Sequence, residues 1–104
     1  MTLRFVPRAR THLRSIAQYI RQHNPAAARS VRKRIQDTLA VLEQFPNVGH
    51  QGFEPGTREV VVPQLPYVIV HTVDAAGAVT VIGVYHAAQL RPGQAEPDVL
   101  GDNG

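Results

Sequence analysis

Five polar residues stand in or just after a run that is otherwise rich in valine and isoleucine: Arg58, Tyr67, His86, Gln89 and Arg91. A guanidinium can hold an oxyanion, an imidazole can donate a hydrogen bond or move a proton, and a phenol or amide can fix the orientation of whatever docks. Set on stiff β-forming segments, such groups make a recognition surface or a small catalytic site. Three of them also have an ordinary structural alternative. Arg58 could pair with Glu59 or Asp74, His86 could be a hydrogen-bonded residue at a strand end, and Tyr67 could be core with its hydroxyl at the edge. His50 and Glu54 lie four residues apart in a turn-rich stretch and offer a further acid/base pair.

Other chemistries find no support in these residues. His12, His23, His50, His71 and His86 lack the spacing of metal ligands, and the chain has no cysteine to supply a thiolate. Gly49, Gly52 and Gly56 do not open a helix, so they do not form a phosphate-cradling loop. No cofactor or metal is expected.

The elements that must carry these groups can be read from periodicity. Leu3 and Phe5 alternate within Thr2 to Val6, a candidate first strand. From Pro7 the spacing of Ala9, Leu13, Ile16, Ala17 and Ile20 becomes helical, and the helix should end near His23 because Asn24 precedes a proline. Asn24 and Pro25 are also a start signal, asparagine as cap and proline at the first helical position. Ala28, Val31, Ile35, Thr38, Leu39 and Leu42 then give a second apolar stripe that stops at Phe45. So short a link predicts an antiparallel helical pair. Pro46 to Thr57 reads as a long loop, Arg58 to Val62, Tyr67 to Val73 and Val79 to Tyr85 as three strands in hairpin order, and Asp74 to Ala78 as a hairpin turn. The pattern is α+β, β-α-α-β-β-β, with a helical hairpin packed on one face of a small antiparallel sheet and the other face free for function. Residues 1–91 are expected to form one domain, and 92–104, polar and rich in proline and glycine, a flexible tail.

Charge is distributed unevenly. The formal net charge is +3, yet residues 1–36 carry nine basic side chains and no acid, whereas residues 37–104 carry two basic and eight acidic ones. A basic first third invites an acidic partner, protein or nucleic acid. Arg14, Arg21 and Arg32 are the helical cations expected to meet it. No apolar run reaches the ~18 residues needed to cross a bilayer, and Arg4, Arg8, Arg10 and Arg14 break any apolar leader, so a cytoplasmic protein is expected.

The element order, together with "GTREVVV" at Gly56 to Val62, "PYVIVHTV" at Pro66 to Val73, "VIGVYHAAQLRP" at Val81 to Pro92 and "FPNVG" at Phe45 to Gly49, resembles the ParE/RelE superfamily of toxins from type II toxin–antitoxin pairs. The resemblance spans Leu3 to Arg91. It implies one of two activities, since members like RelE cut messenger RNA on the ribosome and members like ParE poison DNA gyrase. Arg58 and His86 match the phosphate-binding and acid/base positions of some cleaving relatives. However, Ala87 and Ala88 follow His86 where those relatives often place tyrosine or charged groups, and Arg91 is the only cation after Arg58. The "YHAAQ" ending is closer to the ParE-like branch.

The resemblance therefore implies a ParE-like toxin that binds DNA gyrase rather than an enzyme, and that is neutralised by a cognate antitoxin carrying a flexible acidic segment. Arg58, Tyr67, His86, Gln89 and Arg91, with Arg14, Arg21 and Arg32, are the expected contacts to target or antitoxin. Two alternatives remain open at this level. One is a ribosome-dependent mRNA endoribonuclease with Arg58 and His86 as catalytic residues. The other is a non-toxic partner within an antitoxin repressor complex that touches DNA.

Overall fold

The computed structural model describes residues 3–94, so Met1, Thr2 and most of the expected tail, 95–104, lie outside the described residues. The chain runs β1 (Leu3–Phe5), α1 (Pro7–His23), a 3₁₀ turn (Pro25–Ala27), α2 (Ala28–Gln44), β2 (His50–Gln51), β3 (Arg58–Val61), β4 (Tyr67–Val73) and β5 (Val79–His86). The five strands form one sheet in the order β1-β5-β4-β3-β2. This is the expected α+β layout with two refinements. β1 returns to pair in parallel with β5, Leu3 opposite Val79, and the long loop contributes the two-residue strand β2 against Glu59 and Arg58.

Both helices have the predicted limits at their C-terminal ends, but the link between them differs. Asn24 makes no side-chain cap; its carbonyl accepts the Ala27 amide at 3.0 Å and so closes a 3₁₀ turn before α2 begins at Ala28. His23 ends α1 by donating to the Tyr19 carbonyl at 3.0 Å while its ring stacks on Tyr19. The first turn of α2 holds no acid, and the positive end of its dipole is left among arginines.

One sheet face meets the helices. Val60, Ile69 and Val84 share a row, as do Arg58, His71 and Val81, and the core gathers Val60, Val62, Tyr67, Ile69, Val81 and Val84 against Ala9, Val31, Ile35 and Leu42. The two strand sets whose sidedness the sequence leaves open, Arg58/Val60/Val62 and Tyr67/Ile69/His71/Val73, thus belong to the same face. An extra residue in β5, Ile82, shifts the register between Val70 and His71, so Val81 and Val84 both reach the core despite their odd spacing.

The opposite face is not open as expected. Val68 and Val70 are 4% and 0% exposed there, although no helix covers them. Residues 86–94 close over this side: the Ala87 amide donates to Pro66, Arg91 reaches Glu59, and Gly93, at φ +82°, lies so close to Glu54 that a Cβ would collide with backbone. Burying two valines favours this return of the chain over a solvated end.

α1 also completes the hydrogen bonding of β5 where β1 stops. Arg8 Nε donates to the Ile82 carbonyl at 3.2 Å, and the Val84 amide donates to His12 Nδ1 at 3.1 Å. Four residues of helix rise about 6 Å and two residues of strand about 6.6 Å, so side chains one helical turn apart meet successive outward backbone groups. His12 must be unprotonated at Nδ1 to accept.

Burial, with the Arg8 charge beside it, pushes the His12 imidazole below its ordinary value of 6.5. His71, 0% exposed and joined through Nε2 to the Pro46 carbonyl at 2.9 Å, is lowered by burial and by Arg58, more than that hydrogen bond opposes. Both rings are neutral in folded and unfolded chains at alkaline pH. As pH falls through about 6.5, the unfolded chain takes up protons that the folded one refuses, so stability drops. Urea midpoints measured between pH 8 and pH 5 should therefore decrease below about 6.5, and a His12→Gln, His71→Gln double variant should flatten that part of the profile. An unchanged slope in the double variant would refute this origin.

Candidate functional site

The two helices diverge enough to leave a groove of about 570 Å³ between them. Leu13, Ile16 and Ile20 from α1 and Val31, Ile35 and Leu39 from α2 form its floor, the inner flanks of the stripes that pack on the sheet. Arg14 and Arg21 rise from one helix and Arg29 and Arg32 from the other, giving each rim two cations. The sequence-predicted contacts Arg14, Arg21 and Arg32 are thus brought together, and Arg29 joins them. Arg29 is missed in the sequence because helical phase alone does not say which exposed residues border a groove. Elsewhere on α2, Lys33 is spoken for by Asp37 at 2.9 Å.

The remaining candidates separate into three places. Arg58 projects to the helix side and donates to the Gly49 carbonyl at 2.8 Å, pinning the loop. Gly49, at φ +91°, sits where any side chain would strike the Glu59 carbonyl, so the loop is drawn tight to the sheet. Neither proposed ion pair of Arg58 forms: Glu59 points to the other face, and the Asp74 carboxylate accepts the Ala76 and Ala78 amides of the hairpin turn.

His86 and Tyr67 are register partners at the far end of the sheet, their rings edge to face at 5.9 Å. Nearby, Gln89 folds back on His86, its Oε1 accepting the His86 amide at 2.7 Å. Arg58 pairs with His71, four residues along β4 from Tyr67, which puts Arg58 and His86 roughly 13 Å apart along the strand direction. They do not converge on one phosphate. Burial first, then the neighbouring Tyr19 hydroxyl, raises the Tyr67 phenol, which stays protonated and a donor.

Arg91 forms the third place. Its Nε donates to Glu59 Oε1 at 2.9 Å, its guanidinium covers the Phe53 ring at 5.3 Å, and the paired side chains are 14% and 1% exposed. His50 Nε2 lies 3.4 Å from the same carboxylate oxygen, so His50 faces Glu59 and not Glu54. Glu54 instead lines a second concavity of about 560 Å³ with Gln51, Phe53 and Arg58. Among the described residues no group of three or more histidine, aspartate or glutamate side chains is placed to hold a metal ion.

A helical hairpin laid on one side of a five-strand, mostly antiparallel sheet is a layout shared with toxins of the RelE/ParE superfamily. Within it, the chain belongs to the family described as ParE toxin of type II toxin-antitoxin system, parDE, whose model matches residues 3–91. It is 33% identical over 90 residues to the Y4kP protein of Sinorhizobium fredii, covering 86% of this chain and 92% of that one. Toxin RelE2 of Caulobacter vibrioides is 36% identical over 83 residues, 80% of this chain and 91% of its own. The chromosomal ParDE system from P. aeruginosa shares the fold at a TM-score of 0.72 and 19% identity, covering 83% of this chain and 95% of that one. The intact E. coli RelBE complex does so at 0.57 and 19%, covering 85% and 98%. The protein is a type II toxin, with an antitoxin as its partner. Among the described residues no helix is long and apolar enough to cross a membrane.

Proposed function

We propose that this toxin acts in the cytoplasm by binding DNA gyrase and that its antitoxin silences it by laying an acidic amphipathic helix into the groove between α1 and α2. The observation that carries the antitoxin half is the groove itself, an apolar floor between two rims of paired arginines. A helix with one apolar stripe flanked by glutamates or aspartates fits that floor and both rims at once. An added strand is the weaker option, because the outer strands β1 and β2 span only three and two residues.

Binding rather than RNA cleavage is supported by the sheet face away from the helices. Glu59, Val61, Val68 and Val70 stand there, Arg91 is neutralised by Glu59, and the exposed Arg4 stands apart on the edge strand β1, so among the described residues strands β3, β4 and β5 offer that face no free cation to hold a scissile phosphate. Gyrase as the target is our reading, and membership of the ParE toxin family supports it. Purified toxin at micromolar concentration is expected to block plasmid supercoiling by gyrase, and an equimolar amount of antitoxin to restore it. Full supercoiling in the presence of folded toxin would eliminate gyrase as the target.

A further inference from the structure

We infer that His86 is a fixed hydrogen-bond donor that recognises an acceptor on a protein target, and that it takes no part in proton transfer. This rests on the reading of the toxin as a binder and assigns the role of one residue in it. Its basis is the turn that follows β5. The Ala88 amide donates to His86 Nδ1 at 3.0 Å, the Gln89 amide donates to the His86 carbonyl at 2.8 Å, and the His86 amide donates to Gln89 Oε1 at 2.7 Å. A nitrogen that accepts an N–H cannot carry a proton itself, so the neutral ring holds its proton on Nε2.

That nitrogen belongs to an exposed side chain and makes no hydrogen bond within the described residues, while the ring edge is steadied by Tyr67. The outward atom is then an N–H. A general base would need a lone pair there, and protonating the ring to make an acid would break the Ala88 contact and loosen the turn. What remains is a donor of defined direction beside the Tyr67 ring.

The acceptor is assigned to a protein, a backbone carbonyl or a carboxylate, on charge grounds. The neighbouring residues Ala87, Ala88, Gln89 and Leu90 are uncharged, and Arg91 is held by Glu59. A nucleic-acid backbone needs several free cations, and none stands beside His86 in the chain.

Three substitutions separate the roles. In His86→Asn, the shorter amide oxygen can still accept the amide two residues on, as asparagine does in many turns, but the distal donor is lost. In His86→Gln, an amide N–H is returned to about the position of Nε2 on a group that cannot ionise. His86→Ala removes both. Nitrogen-detected NMR of the isolated wild-type chain should show the Nε2-protonated tautomer with Nδ1 unprotonated. Induced expression should then arrest growth for wild type and His86→Gln, and arrest it at least ten-fold less for His86→Asn and His86→Ala, with all four chains equally folded by circular dichroism. The inference is overturned by a proton on Nδ1, by lost arrest in His86→Gln, which would mean acid/base work, or by full arrest in His86→Ala. Absence of arrest with wild type would instead refute the toxic activity itself, and the NMR result would still decide the tautomer.

Discussion

Antitoxin affinity should fall by about 10²- to 10³-fold when Arg21 and Arg32 are both replaced by glutamate. They stand on facing rims of the interhelical groove. Each reversal removes an attraction to the acidic helix and adds a repulsion, and across a partly desolvated interface like-charge juxtaposition is severe. Isothermal titration of purified toxin with antitoxin reads this directly. The matched control is Arg4→Glu with Lys33→Glu, which changes net charge equally at exposed positions outside the groove. Long-range steering alone would weaken both doubles alike and would lower the salt dependence of each. A drop confined to the groove double places the helix there; equal drops would sink that placement.

The second large effect concerns the buried pair beneath the returning chain. Replacing Glu59 by leucine leaves the Arg91 guanidinium in a site where it is 14% exposed, with its charge partner gone. Removing one member of such a pair costs about 3 kcal/mol, because the survivor keeps its desolvation penalty without its attraction. Urea unfolding should show that loss for Glu59→Leu alone. The double variant Glu59→Leu, Arg91→Met should recover most of it, since an apolar pair of similar size carries no stranded charge. Non-recovery would mean that Glu59 matters through something other than Arg91.

Much of this architecture is written locally in the chain. The apolar stripes of both helices, the proline that ends α1 and the valine-rich strands all declare themselves within windows of ten to fifteen residues, because burial on one side imposes a period. The basic first third suggests a partner surface that includes Arg14, Arg21 and Arg32, but that these three border one groove depends on how the helices pack. What stayed hidden depends on distant partners. β1 pairs with residues 79–81, and Arg91 finds Glu59 across 32 positions. Neither has a periodic signature. The single glutamate in "TREVVV" was the available clue, since a charge among valines is either solvated or paired, and only the fold decides which. Arg58 and His86 show the same limit: the sequence does not say how far apart they stand, and the fold sets them roughly 13 Å apart along the strand direction.

The side chains that α1 lends to β5 also bear on how the toxin survives alone. An unprotected outer strand is where identical molecules add to one another and grow fibrils. Arg8 and His12 occupy the backbone of Ile82 and Val84 that such growth would require. α1 thus closes the part of β5 that lies beyond β1 to strand addition, and acidification that protonates His12 would free the Val84 amide and reopen it.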